Sequence, residues 1–423
     1  MGYSIAIVAV KSVRYWRVAG FVAILSAGEA GAYDFAGPPP GFTPGTTNTF
    51  QFYLADQETY DDNLFRLPSG TVGVPGAIFP NAKQSDFVNT STLGGQGKWD
   101  IGRQEIHIDL RADENRFANN DALNYLSANA VGLWNWRAGQ YFSGQVETFW
   151  DRSLASFGQT RYSGKDLVTS LEELGSARYQ IGPHWAAYGQ VRGSYTEHSA
   201  ASEQFNNFHN RAGNAGVEYA TSVNDTYGFQ YQYVDITFKQ DLAVATQAFN
   251  YNEDSGRFLI HYGLSDKTVI DAYAGYLRRK YPGLAIGSYS GEIWRASLAY
   301  HVTDKTQFIV TGWHELHAYV DAESNYFVAK GVSISPVWNA SEKLSFTLAG
   351  AYENQDYISS NNNVLIAGVR TAKVNSEQAT IRYTPRDAWI VNVFLRHEKR
   401  DSNQPTFAYS DNLASANVTF RFW

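Results

Sequence analysis

The chain has 423 residues, a formal charge of −7, hydrophobic residues at 44%, aromatics at 15% and no cysteine. That composition excludes disulfides, thiolate metal sites and cysteine nucleophiles, and no basic stripe points to nucleic acid. After the N-terminus no apolar run reaches the ~20 residues a membrane helix needs. A membrane barrel hides its apolar content, because lipid-facing and lumen-facing residues alternate and a window average cancels them.

Residues 1–32 read as a secretory leader. Lys11, Arg14 and Arg17 form its basic region, Val18 to Ser26 its short apolar core, and Ala30-Gly31-Ala32 a cleavage site before Tyr33. Removing three positive charges and Glu29 takes the net charge from −7 to −9 (−7 − 3 + 1). Residues 33–46, with Pro38-Pro39-Pro40 and Pro44, form an extended lead-in, and 47–423 form one β-barrel domain.

That domain is a series of stretches with period-2 alternation, the signature of strands with two unlike faces. Ile106, Ile108, Leu110 and Ala112 alternate with His107, Asp109, Arg111 and Asp113. Tyr227, Phe229, Tyr231 and Tyr233 alternate with Gly228, Gln230 and Gln232, and Phe258, Ile260, Tyr262 and Leu264 with Arg257, His261 and Gly263. Trp389, Val391, Val393 and Leu395 alternate with Asn392, Arg396 and one apolar exception, Phe394. Ala414, Ala416, Val418, Phe420 and Phe422 close the series, followed by Trp423. Such a terminal aromatic strand is typical of outer-membrane barrels, although here the alternation falls on the penultimate residue.

Tight turns at Gly182-Pro183, Val223 to Asp225, Ser265 to Lys267, Thr303 to Lys305, Asn339 to Lys343 and Pro385 to Asp387 alternate with longer loops. Those loops are Ser153 to Lys165, Ser199 to Phe208, Gln240 to Asp254, Pro282 to Tyr289, Tyr357 to Ala372 and Asp401 to Ser410. Short turns on one rim and long loops on the other describe an all-β, transmembrane, antiparallel outer-membrane barrel of about 18 strands, with both termini periplasmic. A propeller would show a repeat of ~40–50 residues, and none is found.

Catalytic constellations are poorly formed. Gly158 to Lys165 has one residue too many for a phosphate loop, and Tyr289 stands where a nucleophile elbow needs serine. His314 and His317 are three apart in a strand, so their side chains leave on opposite faces. Neighbours in Asp61-Asp62 and Glu172-Glu173 likewise point apart and make no acid/base couple. No enzyme, metal site or cofactor emerges. By parity the lumen face carries Arg111, Arg178, Arg192, Arg257, Arg295, Arg382, Arg396 and Arg421. They serve either as partners for acids across the wall or as a cationic path for an anionic solute.

The stretch Thr59 to Pro68, TYDDNLFRLP, resembles the N-terminal motif of the EpsL-like outer-membrane proteins, with Asp61, Asp62, Asn63, Leu64, Phe65 and Arg66 in register. These proteins are encoded with exopolysaccharide systems and related to a broad group of barrel porins. The resemblance implies an outer-membrane channel exporting a secreted polysaccharide. Its partners would be outer-membrane lipid and lipopolysaccharide, the polymer as cargo, and a periplasmic and inner-membrane synthesis complex. The alternatives are a general diffusion porin for small solutes and, further off, an outer-membrane enzyme. A long loop folded into the lumen would favour the porin; a smooth charged or aromatic track would favour the exporter.

Overall fold

The computed structural model describes residues 49–158, 162–223, 225–239, 250–282, 288–318, 326–358 and 369–422, and the backbone of 32–33. Apart from Ala32 and Tyr33, the expected leader and lead-in lie outside these residues, as does Trp423. Ala32–Tyr33 (β1) pairs antiparallel with Ala155 and Leu154.

The wall begins with β2 (Thr49–Asp61), β3 (Asp86–Ile101), β4 (Gln104–Phe117), β5 (Tyr125–Ala138), β6 (Phe142–Ala155) and β7 (Leu167–Ile181). It continues through β8 (Trp185–His198), β9 (Phe208–Ala220), β10 (Thr226–Phe238), β11 (Tyr251–Ser265), β12 (Thr268–Lys280) and β13 (Tyr289–Thr303). It ends with β14 (Thr306–Ala318), β15 (Tyr326–Asn339), β16 (Leu344–Ile358), β17 (Thr371–Arg386), β18 (Trp389–Ser402) and β19 (Tyr409–Phe422). From β2 to β19 each strand pairs antiparallel with the next, and β19 pairs back onto β2 from Leu413↔Asp61 to Phe422↔Phe52. Among the described residues, eighteen strands thus close a barrel, a number that leaves room for an aqueous lumen.

The faces follow the parity of the sequence. Leu110, Phe258, Val393 and Leu395 point outward and are exposed, whereas Arg111 and Arg257 point inward and are buried. Outward rings crowd the short-turn rim: Phe52 stacks on Phe422 at 5.8 Å, Trp389 meets Phe420 at 5.0 Å, and Trp338 stacks on Phe346 at 5.2 Å. This is an interfacial aromatic girdle. Toward the long-loop rim the outward residues become charged pairs, Arg116 with Glu114, Lys239 with Glu197 and Arg278 with Asp254. The strands therefore outreach the apolar belt and end in charged outward faces. That explains where the sequence reading fell short. Gln240 to Asp254 was expected to be loop, but β11 starts at Tyr251. Above the belt both faces are polar, so alternation fades while the ladder continues.

Candidate functional site

The longest described connection, residues 62–85 between β2 and β3, folds back onto the inner face of the barrel. The TYDDNLFRLP residues perform that fold. Asn63 donates through Nδ2 to the carbonyls of Leu67 (2.8 Å) and Ser410 (2.9 Å), while its Oδ1 accepts from the Leu67 amide (2.9 Å). Leu64 and Phe65 enter a buried cluster with Val88, Phe117, Leu123, Leu154, Phe157 and Leu413, and Phe79 from the far side of the loop packs against it. Phe394, the apolar exception on β18, packs there too. Arg66 adopts a left-handed backbone (φ 55°), which costs a non-glycine residue roughly 1–2 kcal/mol. Its guanidinium offsets this by pairing with Asp61 at 3.0 Å and Asp411 at 2.8 Å. Carboxylate oxygens of Asp61, Asp62 and Asp411 converge within 4.8 Å, a spacing that could hold a cation, and that cation is Arg66. Asp62 itself turns to Asn412, accepting from its amide (2.7 Å) and its Nδ2 (2.6 Å).

A second element narrows the same end. Pairing of β13 with β14 stops at Trp294↔His314, and beyond it both faces of the β14–β15 hairpin are buried. Leu316 and Val328 pack on Leu277 and Ile293 of the inner wall, while Phe327 and Ala329 pack with Trp313. The adjoining ends of β14 and β15 thus lean into the mouth. His317 stacks on Phe327 at 5.2 Å, while His314 lies 3.5 Å from Glu292, confirming that the two histidines part company.

Below these elements five of the eight lumen arginines stand at one level. Arg111, Arg192 and Arg396 each lie seven residues from the short-turn ends Gln104, Trp185 and Trp389 (111 − 104, 192 − 185, 396 − 389). Arg257 and Arg295 each lie eight from Ser265 and Thr303 (265 − 257, 303 − 295). Four carry a carboxylate: Arg111 with Asp113 (3.1 Å), Arg192 with Glu172 (3.4 Å), Arg295 with Glu315 (2.6 Å) and Arg396 with Asp411 (2.8 Å). Glu315 also accepts from the Tyr273 hydroxyl, and Trp313 Nε1 donates to Glu353 at 2.8 Å, so the belt continues as a polar network. The remaining three sit nearer the short-turn rim. Arg178 pairs with Glu218 at 2.6 Å, Arg421 donates to the Asp387 carbonyl at 2.7 Å, and Arg382 lies across from Ser345 and Asn392.

Three of the inward cations that the sequence reading missed have defined partners. Arg279 pairs with Glu253 at 2.8 Å under Tyr251, Arg370 lies between the rings of Tyr357 (3.4 Å) and Phe407 (4.0 Å), and Arg400 donates to the Gly158 carbonyl (3.1 Å). Strand parity would have found Arg279 and Arg400. Arg370 precedes its strand, where parity has no purchase.

A closed barrel with a lipid-facing apolar belt, a charged inner wall and an inward-folded mouth loop defines a porin-type protein of the bacterial outer membrane. The family model described as "Putative beta-barrel porin 2" matches residues 242–422, the stretch containing β11 to β19. No curated protein matches the sequence. Among solved structures the chain is similar to the outer membrane protein OpdK of Pseudomonas aeruginosa, at 11% identity over 89% of this chain and 99% of that one (TM-score 0.47). It is also similar to OccAB3 of Acinetobacter baumannii, at 13% over 89% and 99% (TM-score 0.47). A BenF-like porin of Pseudomonas fluorescens Pf-5 gives 12% over 89% and 100% (TM-score 0.48).

Proposed function

We propose that the protein is a passive channel for small hydrophilic solutes, with the arginine belt acting as its charge filter. One observation carries this reading. Residues 62–85 fold inward and are tied to the wall by Asn63 and Arg66, so the mouth is narrowed by the chain itself. The polysaccharide-export reading drew on TYDDNLFRLP, and those residues build the obstruction rather than a clear track for a polymer. Charged rings at a constriction select small ions by sign. The outward pairs above the belt, Arg278–Asp254 among them, suit contact with lipopolysaccharide headgroups.

The test is transport in both directions. Purified protein in liposomes should admit sugars and small acids, and removing residues 69–80 should raise single-channel conductance several-fold. A deletion strain should secrete polysaccharide normally while taking up small solutes more slowly. Polymer retained in its periplasm would overturn the proposal and restore the export reading.

A further inference from the structure

The join between β13 and β14 is split at its long-loop end. Its register runs from Thr303↔Thr306 to Trp294↔His314 and stops. Among the described residues, Tyr289 to Ile293 and Glu315 to Ala318 therefore have no ladder partner across this seam. The neighbouring joins continue upward, to Arg279↔Tyr289 on one side and Ala318↔Tyr326 on the other. Parity shows what happens above the stop. Val310 points outward and is exposed, whereas Leu316, of the same parity, is buried with the inward-facing Leu277 and Ile293. The outer face of β14 thus slides behind the inner face of β12 and β13. Here the wall is an overlap of two layers, not a continuous sheet.

The seam has a level and a chemistry. At its top, Ser290 pairs with Arg278, which holds Asp254 at 2.6 Å on the outer face. Below, Glu292 and His314 approach to 3.5 Å across the split, with the Glu292 side chain 74% exposed. At the foot Trp294 faces outward, its ring so close over Gly312 that a Cβ there would lie 3.3 Å from it. The split therefore runs from the charged outward level down into the apolar belt. Behind it Val234, Ile236, Leu277 and Ile293 occupy lumen-facing positions where a barrel of this kind is ordinarily polar. A barrel wall in lipid is normally sealed by its ladder, which leaves no strand edge. This stretch is sealed by Leu316 against Leu277 and Ile293 instead. Such contact is non-directional, so a hydrocarbon chain can take the place of either side.

We propose that this seam is a side entrance through which a single-chain amphipath passes from the outer leaflet into the lumen. Its tail parts Leu316 from Ile293, and its polar head travels at the level of Ser290, Glu292 and Arg278. A molecule with both parts matches a split that is charged at the top and apolar below. This route goes beyond the axial passage of hydrophilic solutes and does not depend on it.

The probe is a fluorescent lysophosphatidylcholine added outside proteoliposomes, since its zwitterionic head keeps it from crossing lipid unaided. Wild-type vesicles should protect it from extraction by albumin several-fold faster than protein-free vesicles. In this cysteine-free chain, Ile293→Cys with Leu316→Cys ties β13 to β14 on oxidation. Protection should then fall to the protein-free rate and return on reduction, with potassium chloride conductance unchanged. The oxidised pair Thr148→Cys with Glu173→Cys, across the intact β6–β7 join, should leave protection at the wild-type rate. A second measurement needs no cross-link: bimane on Leu316→Cys should be quenched by brominated phospholipid, as on Trp294→Cys. Protection unaffected by the oxidised seam, or bimane at 316 untouched by brominated lipid, would overturn the entrance. A wild-type protein that conducts ions but protects no lysolipid sinks the entrance and leaves the axial channel. Protection through the seam without conductance does the reverse.

Discussion

Arg66 and Arg257 are both buried guanidiniums on the inside of the same barrel, and their surroundings are opposite. Arg66 is held by Asp61 and Asp411 and shares Asp411 with Arg396; Arg257 faces a glutamine, a glycine and a tyrosine ring. The first spends its charge on the fold. The second has no carboxylate partner among the described residues. Residue type and burial alone do not separate the two; the partner does.

The largest effect should come from removing the shared acid. Asp411→Ala takes one of two acids from Arg66 and the ion-pair partner of Arg396, and should cost about 3–5 kcal/mol, read as a lower urea midpoint of the refolded barrel. Arg257→Gln removes a cation with no acid to strand and should leave the midpoint nearly unmoved; a comparable loss there would break the contrast. A smaller effect places the same group in a third environment. Leu110→Arg puts a guanidinium on the lipid face one residue from inward Arg111 and should cost ~2–4 kcal/mol in vesicle-folded protein. Next comes Asn63→Ala, which removes hydrogen bonds to Leu67 and Ser410. It should cost roughly 1–3 kcal/mol, seen as protease cleavage within residues 69–80 while the barrel core stays intact.

The smallest concerns Glu203 in the rim loop between β8 and β9. Burial, and then nearby Asp166, push its carboxyl up, while His198 draws it down. Its protonated form is favoured by folding, so this contribution is present below the ordinary carboxylate pKa and is lost as pH rises through the raised value. Hydrogen exchange in residues 199–207 should slow on acidification by an amount that Glu203→Gln abolishes; an unchanged pH dependence in that variant would refute it.

What the sequence showed and hid follows one physical line. Strand number and faces were legible because period-2 patterning survives wherever one face meets lipid and the other water, as at Ile106 to Asp113. The inward fold of residues 62–85 was not, because nothing in its glycines, prolines and polar residues signals a fold onto the inner wall, although Leu64 and Phe65 are buried. The motif was noticed, but its work depends on Ser410, Asp411 and Asn412, some 350 residues away. Likewise eight arginines could be assigned to the lumen, but not which had acids, since ion pairing across strands is fixed by register. Arg257 differs from Arg295 through neighbours that only the ladder reveals.

The same distant contacts bear on how the chain assembles. Closing the ring requires β2, the first wall strand, to find β19, the last, and a loop of that length carries the largest closure entropy in the molecule. Long-range pairing of this kind is slow, and an unclosed barrel exposes two strand edges. Asn63, Asp62 and Arg66 each reach across that join, to Ser410, Asn412 and Asp411. The segment that narrows the mouth is therefore also a clasp on the last seam to form. Loosening it should slow the final step of assembly before it changes anything that passes through the finished channel.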